Sequence, residues 1–175
     1  QLYWERGHKL ADYDVLLKWW NDYSYGKHLY IGHGIYRAGT NEAWKSNTQI
    51  PDQINLLRSF KTTQGSVYYN SNTFAKNPNG WNDSLQNNYY KYPALVPPMP
   101  WLDDTAPDAP SIQKKNASNF VVNYNGKEKI KSFGIFSCGS GVKANLKNAQ
   151  LLKILVATKT SNVDISNIAH KKDEK

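Results

Sequence analysis

HLYIGHGI, residues 28–35, is a strand-like run interrupted by Gly32 and Gly34, and its reading decides what the rest of the chain can build. Glycines in such a run mark a bulge or the close approach of another backbone near a strand end. Upstream, residues 1–4 form a second strand-like segment with Leu2, Tyr3 and Trp4 as its apolar content; downstream, GSVYY at 65–69 forms a third. Asp12 or Ala11 opens a helix to about Tyr23, in which Leu16, Trp19, Trp20 and Tyr23 recur at three- and four-residue spacing. Gly26 suits its end. Residues 37–49 read as loop, with Trp44 inside it. Pro51 begins a short helix that carries Ile54, Leu57 and Phe60 on one face, and a helical segment at 81–89 follows the NPNG turn. Strand followed by helix, three times over, predicts an α/β unit with a parallel sheet, because each crossover helix covers a sheet face. Trp19 and Trp20, on a helix that must cover that sheet, are expected to fill core.

The chain changes character near position 110. Residues 1–110 hold ten Lys/Arg and ten Asp/Glu, whereas 111–175 hold twelve Lys and four acids, which accounts for the whole formal charge of +8. All six tryptophans and eleven of the twelve tyrosines precede residue 111, so the first part should hold the larger core and any ring-lined surface. YPALVPPMPWLDDTAPDAP, 92–110, carries most of the prolines and reads as a stiff connector. Beyond it, 120–124, 130–137 and 151–157 read as short strands separated by NGK and CGSG turns, which suits a small antiparallel sandwich. The lysines at 127, 129 and 131 lack arginines and stacking rings beside them, which argues against a nucleic-acid partner. Cys138 has no second cysteine to pair with. No apolar run reaches eighteen residues and no export signal opens the chain; with a core strand at once after Gln1, the natural N-terminus is expected upstream.

In a parallel sheet, reactive residues collect just past the C-terminal ends of the strands. The first strand delivers Trp4, Glu5, Arg6 and His8 there, the second His33, Tyr36 and Arg37, the third Asn70, Ser71 and Asn72. Glu5 is the candidate catalytic carboxylate, as general acid, nucleophile or orienting group, with a helix cap or ion pair as its plainer role. His8 and His33 are candidate polar contacts or hydrogen-bonded structural histidines. Trp4, Tyr36 and Trp44 offer flat faces for the apolar side of a sugar ring, and Arg37, Asn70 and Asn72 offer directional hydrogen bonds. A three-ligand metal site is not supported. No nucleotide-binding glycine motif, HExxH, GxSxG or CxxC is present, and GSGVK at 139–143 lacks the helix context of a phosphate loop, so no cofactor is expected. Glycosidase chemistry requires two separated carboxylates; only Glu5 is well placed.

QLYWERGHKLADYDVLLKWW, HLYIGHGIYRAG, IPDQI and GSVYYNSNTF, together with NPNGWNDSLQNNYYKYPALVPPMPWLD, resemble the C-terminal portion of the catalytic module of the glycosyl-hydrolase-like 10 family, over about residues 1–104. The resemblance implies the C-terminal portion, about three β/α units, of a (β/α)8 TIM-type barrel, with 2–4, 29–32 and 66–69 as its last three strands. The family's acidic Asp-Asp-Tyr run would then lie upstream of Gln1. Its Tyr-Trp pair matches Tyr3 and Trp4, with Glu5 next, and its Gly-Xaa-Gly-Xaa-Tyr run matches Gly32, Gly34 and Tyr36; these would line a sugar cleft. His33 stands near where many barrel glycosidases have a glutamate nucleophile, so no nucleophile is carried over. Residues 105–110 are then the linker, and 111–175 resemble a short fibronectin type III-like module without its early-strand tryptophan.

Members are typically exported bacterial proteins, often lipoproteins, which implies a secreted or cell-envelope location, a lipid-anchored parent and a polysaccharide or oligosaccharide partner. Two functions follow. One is part of an exported glycoside hydrolase, inactive in isolation for want of its upstream acids; the other is a noncatalytic glycan-binding or surface-adhesion module. Three units taken from a closed barrel would expose a strand edge, and self-association is one way to cover it.

Overall fold

Strand β1 (Leu29–His33) organises the first part of the chain. It pairs in parallel with β2 (Thr63–Tyr68), His33 opposite Tyr68, and Leu2 adds one parallel bridge to His33. Ile31, Gly32 and His33 are all buried, as expected of a parallel strand covered on both faces, where apolar and polar positions do not alternate. Gly34 marks a close approach: a Cβ there would stand 3.2 Å from the Cβ of Tyr3 and 3.2 Å from the Cγ of Arg37, so a side chain would have to push one of them aside.

Helix α1 (Tyr13–Asp22) starts at Asp12, whose carboxylate accepts from the backbone N–H of Asp14 at 2.9 Å, satisfying one of the unpaired donors of the first turn. Its buried face is Tyr13 and Leu17, one turn apart. Trp19 and Trp20 are 50% and 45% exposed, which corrects the expectation that they fill core. A two-stranded sheet is narrow, so α1 has one stripe to bury and the neighbouring stripe carries the indoles outward. The loop expected at 37–49 contains a one-turn helix, α2 (Glu42–Lys45). It is followed by α3 (Gln49–Leu57), which buries Ile50, Ile54 and Leu57. After β2 come α4 (Ser71–Ala75) and α5 (Trp81–Ser84), the latter running into a π turn at Leu85–Tyr89. Leu2, Ile31, Ile35, Trp44, Trp81 and Leu85 join the buried residues of α1 and α3 in one core.

The computed structural model describes residues 1–139, 141, 145, 149–164 and 166. The chain divides into two compact units, Gln1–Lys91 and Tyr92–Lys175. In the second, β3 (Ser111–Lys114), β4 (Asn119–Asn123) and β7 (Thr160–Asp164) form an antiparallel sheet in the order β3-β4-β7, and β5 (Ser132–Ser137) pairs antiparallel with β6 (Gln150–Val156). Val122, Tyr124, Leu151 and Val163 are its buried apolar residues among those described. Most of GSGVK lies outside the described residues.

The expectation of three β/α units of a (β/α)8 TIM-type barrel is overturned. The fold is mixed α/β with open sheets: β2 has β1 on one edge and no strand on the other among the described residues. Closure demands strands paired on both edges with a consistent stagger, and residues 1–4 supply only the Leu2 bridge. The reason lies just after that bridge. The Trp4 carbonyl accepts from Gln53 Nε2 at 3.2 Å and Glu5 turns inward to Trp44, so the chain leaves the sheet direction before a full strand forms. Among the described residues, no helix is long and apolar enough to cross a membrane.

Candidate functional site

Three tyrosines meet just past the C-terminal ends of the parallel segments. Tyr3 follows the Leu2 bridge, Tyr36 lies in the 3-10 turn after β1, and Tyr69 follows β2. The Tyr3 and Tyr36 ring centroids are 5.6 Å apart, edge to face, Tyr36 and Tyr69 are 5.7 Å apart, and Tyr3 and Tyr69 are 6.0 Å apart. Backbone bonds fix each position: Leu2 N–H to the Gly32 carbonyl at 2.9 Å, Arg37 N–H to Gly34 at 2.9 Å, and Tyr69 N–H to His33 at 3.1 Å. Such ring pairs are favourable by about 0.5–1.5 kcal/mol each beyond their burial. Tyr36 and Tyr69 are 41% and 54% exposed, so the cluster presents faces to solvent. Burial, and the neighbouring Tyr36 and Tyr69 phenols, push the Tyr3 phenol up, which keeps it a hydrogen-bond donor.

Glu5, two residues beyond Tyr3, is buried. Trp44 Nε1–H donates to its Oε2 at 2.9 Å and Asn41 Nδ2–H donates to its Oε1 at 3.0 Å. Asn41 in turn accepts from the backbone N–H of Trp44 at 3.0 Å, capping α2. Burial by itself would raise the carboxyl, but its own backbone, the Trp44 indole, the Asn41 amide and the charge of His8 outweigh that and hold it below the usual carboxylate range. An acid so held is ionised at neutral pH, the wrong state for a general acid, which needs its proton. Both oxygens are engaged in placing α2.

His33 is wholly buried. Its ring lies between those of Tyr13, 6.0 Å away, and Tyr68, 5.3 Å away, both close to parallel with it. The Gln53 amide donates from Nε2 to the Trp4 carbonyl, so its Oε1 faces His33 Nδ1 at 2.8 Å. An amide oxygen only accepts, so Nδ1 carries the proton and Nε2, 3.1 Å from Ser66 Oγ, accepts from that hydroxyl. Burial pushes the imidazole down to about 4 despite the opposing Gln53 bond. His33 is therefore a neutral structural tie among β1, β2 and α3, with no face for a ligand.

The remaining candidates divide between the cluster and the scaffold. Trp4 is 37% exposed. The Arg37 guanidinium carbon is 6.0 Å from the Trp44 ring centre, and its Nε is buried without a partner. His8 Nδ1 accepts from the backbone N–H groups of Leu10 and Ala11 at 3.3 and 3.0 Å, closing the turn before α1. Asn70 caps α4 through the Thr73 N–H at 3.0 Å, and Asn72 is exposed on α4. Trp44 is fully buried and offers no face to a sugar. The ring that sequence reasoning passed over is Tyr69: in VYY the first tyrosine turns inward and the second outward, and strand alternation carries that signal. Among the described residues no cluster of His, Cys, Asp and Glu can hold a metal ion.

No protein-family model matches the chain, and no solved structure matches it significantly. A bacterial relative does. Over 118 residues, 65% of this chain, it is 41% identical to "Glycosyl hydrolase YngK" of Bacillus subtilis (strain 168). The matched region is 23% of that protein, so the chain spans less than a quarter of its length. The chain is thus homologous, over part of its length, to a bacterial glycosyl hydrolase-like protein.

Proposed function

We propose that the first unit forms one wall of the glycan-binding cleft of an exported carbohydrate-active protein of the glycosyl-hydrolase-like 10 type, whose parent is attached to the cell envelope by a lipid. The observation that carries this reading is the Tyr3–Tyr36–Tyr69 cluster, three mutually packed rings of which two are open to solvent. Sugar rings pair an apolar C–H face with a hydroxyl rim, and an aromatic platform bordered by Arg37 suits both. The partial identity to a glycosyl hydrolase supports the same substrate class.

Within these 175 residues the reading is binding without turnover. Glu5 is ionised, which suits a nucleophile but not a general acid, yet both of its oxygens are taken by Trp44 and Asn41, and glycoside hydrolysis needs a second, protonated carboxyl group besides. Glu5 is then a positioning residue, and the catalytic carboxylates are supplied elsewhere in the parent.

Affinity electrophoresis against a panel of soluble polysaccharides tests this. Tyr36→Ala and Tyr69→Ala should each weaken retention about tenfold, the equivalent of ~1.4 kcal/mol, and each should also lower stability by about 1–3 kcal/mol through its two lost ring pairs, so retention is compared well below the unfolding midpoint of each variant. Unchanged retention in both variants would refute the tyrosine platform. Release of reducing ends by this chain, abolished by Glu5→Gln, would make Glu5 catalytic instead.

A further inference from the structure

The chain has three arginines, Arg6, Arg37 and Arg58, and two of them are satisfied within it. Arg6 places Nε and Nη2 on the two carboxylate oxygens of Asp14, each at 2.8 Å. Arg58 donates from Nη2 to the Tyr89 carbonyl at 2.7 Å, and its Cζ lies 5.4 and 5.6 Å from the ring centres of Tyr89 and Tyr90. Arg37 has no such partner: its side chain forms neither an ion pair nor a hydrogen bond among the described residues.

Arg37 is half-buried and held by packing. Its Cγ and the Cβ of Tyr3 flank Gly34, each 3.2 Å from the point a Cβ would occupy there, and its Cζ is 6.0 Å from the Trp44 ring centre, at the outer limit of cation–π attraction. Its Nε is closed to solvent and unpaired, so part of the guanidinium has lost its water with nothing in return, and a cation so placed is costly to hold without a counter-charge. Nη1 and Nη2 are neither closed off nor bonded to a described residue; these are the donors an incoming group can reach. Glu5 also touches Trp44, yet its two oxygens are taken by Trp44 and Asn41 and it forms no ion pair with Arg37. Residues 1–110 hold as many acids as bases, so the positive charge of Arg37 is local rather than part of a broad basic field.

We infer that Arg37 sets the specificity of the tyrosine platform, selecting glycans whose sugar rings carry a carboxylate. The inference rests on the reading of that platform as a glycan-binding surface and names which glycans it takes. Arg37 follows Tyr36 in the same 3-10 turn and its stem borders Tyr3, so a sugar lying on the rings has its rim within reach of the arginine. One guanidinium offers one positive charge and, end-on, two coplanar N–H donors from Nη1 and Nη2, which match the two oxygens of a carboxylate and leave the closed Nε aside. A rim of hydroxyls alone would accept the same hydrogen bonds but supply no counter-charge.

The test is affinity electrophoresis of the whole chain in gels containing hyaluronan or polygalacturonate, each beside its methyl ester, in which the polymer is the same and the carboxylate charge is gone. Runs at about 0.1 M salt, where the Debye length is about 10 Å, suppress attraction by the net charge of the whole chain. The acid form of at least one polymer should be held about tenfold more strongly than its ester. Arg37→Gln, which keeps methylenes beside Tyr3, should bring that ratio to about one. Arg37→Lys, which keeps the charge without the fork, should leave an intermediate ratio, and Lys115→Gln, an exposed control in the second unit, should leave the ratio unchanged. Tyr36→Ala and Tyr69→Ala should lower retention of both forms. Equal retention of acid and ester, or retention of neutral polysaccharides only, with the tyrosine variants still weakened, would overturn the role of Arg37 and leave the platform standing. A preference that survives Arg37→Gln would overturn it too, as would dextran sulfate held through Arg37 as strongly as the carboxylate polymer. Retention of no polysaccharide, or retention indifferent to both tyrosine variants, would remove the platform and the specificity with it.

Discussion

Replacing Trp44 by alanine should destabilise the first unit by about 4 kcal/mol or more, which is a large part of what a domain of this size has. Trp44 is fully buried against Trp81, with ring centroids 6.2 Å apart and edge to face. Truncating a buried tryptophan costs about 3–5 kcal/mol from lost transfer energy and the cavity left behind. The loss is compounded at Glu5, whose Oε2 would lose its indole donor. Trp44→Phe separates the two effects. It retains most of the ring volume but removes the Nε1–H donor, and should cost about 1–3 kcal/mol. Combined with Glu5→Gln in a double-mutant cycle, it should show a coupling of about 1–3 kcal/mol. Urea unfolding followed by tryptophan fluorescence reads all of these. A Trp44→Ala variant within about 1 kcal/mol of the parent, or a cycle with no coupling, would remove Glu5 from the scaffold and return it to consideration as a chemical group.

That outcome bears on function because the Glu5–Trp44–Asn41 arrangement is linked to the tyrosine cluster through Arg37. Arg37 is stacked near Trp44 on one side and borders Tyr3 across Gly34 on the other. A change in where Trp44 lies is therefore felt at the platform within two contacts. The charge of Glu5 is spent on fixing α2, and the exposed rings are left to face solvent on a rigid base. Platforms of this kind bind best when their rings do not have to be ordered on contact.

How far the sequence carries differs between elements for physical reasons. Helix α1 was legible from its spacing, and its cap from Asp12. Which stripe it buries was not, because the width of the face a helix covers depends on how many strands lie beneath it. Strands β1 and β2 could be read from branched and aromatic runs, with Gly34 as a place of close backbone approach. The extent of the sheet could not: the first segment has strand-like residues, yet Gln53 captures the Trp4 carbonyl and Trp44 captures Glu5, and both partners are distant in sequence. For the candidate site, Tyr36 stood out by its position after a strand, and Tyr3 through the family resemblance alone. Tyr69 was hidden beside Tyr68 and needed alternation to separate them. His8, His33 and Asn70 carry polar atoms that suit ligands, but the same atoms serve turns, strand ties and caps, and only the partners decide.

Acid should weaken the first unit in two separable stages, of which His33 supplies the first. In the folded chain its imidazole is pushed down to about 4 by burial, whereas in the unfolded chain it titrates near the ordinary value of about 6.5. The unfolded state therefore binds the extra proton between those values, so stability is complete above about pH 6.5, falls as pH drops toward 4, and stops falling on this account below 4. The separation of the two values corresponds to a loss of about 3 kcal/mol across that window. Glu5 adds the second stage. Its carboxyl is held below the usual range in the folded chain, so its contribution is present above the unfolded value of roughly 4.3 and is lost at still lower pH. Urea midpoints from pH 8 to 3 on the whole chain resolve the two. His33→Asn keeps an amide N–H for Gln53 and removes the titrating ring; it should be less stable than the parent at pH 7.5 but nearly flat between pH 6.5 and 4.5. Glu5→Gln should keep the parent's slope in that window and flatten only the limb below it. A parent chain whose stability is constant from pH 7 to 4.5 would mean that water or a rearranged partner reaches His33, and the tie among β1, β2 and α3 would have to be redrawn with an accessible imidazole.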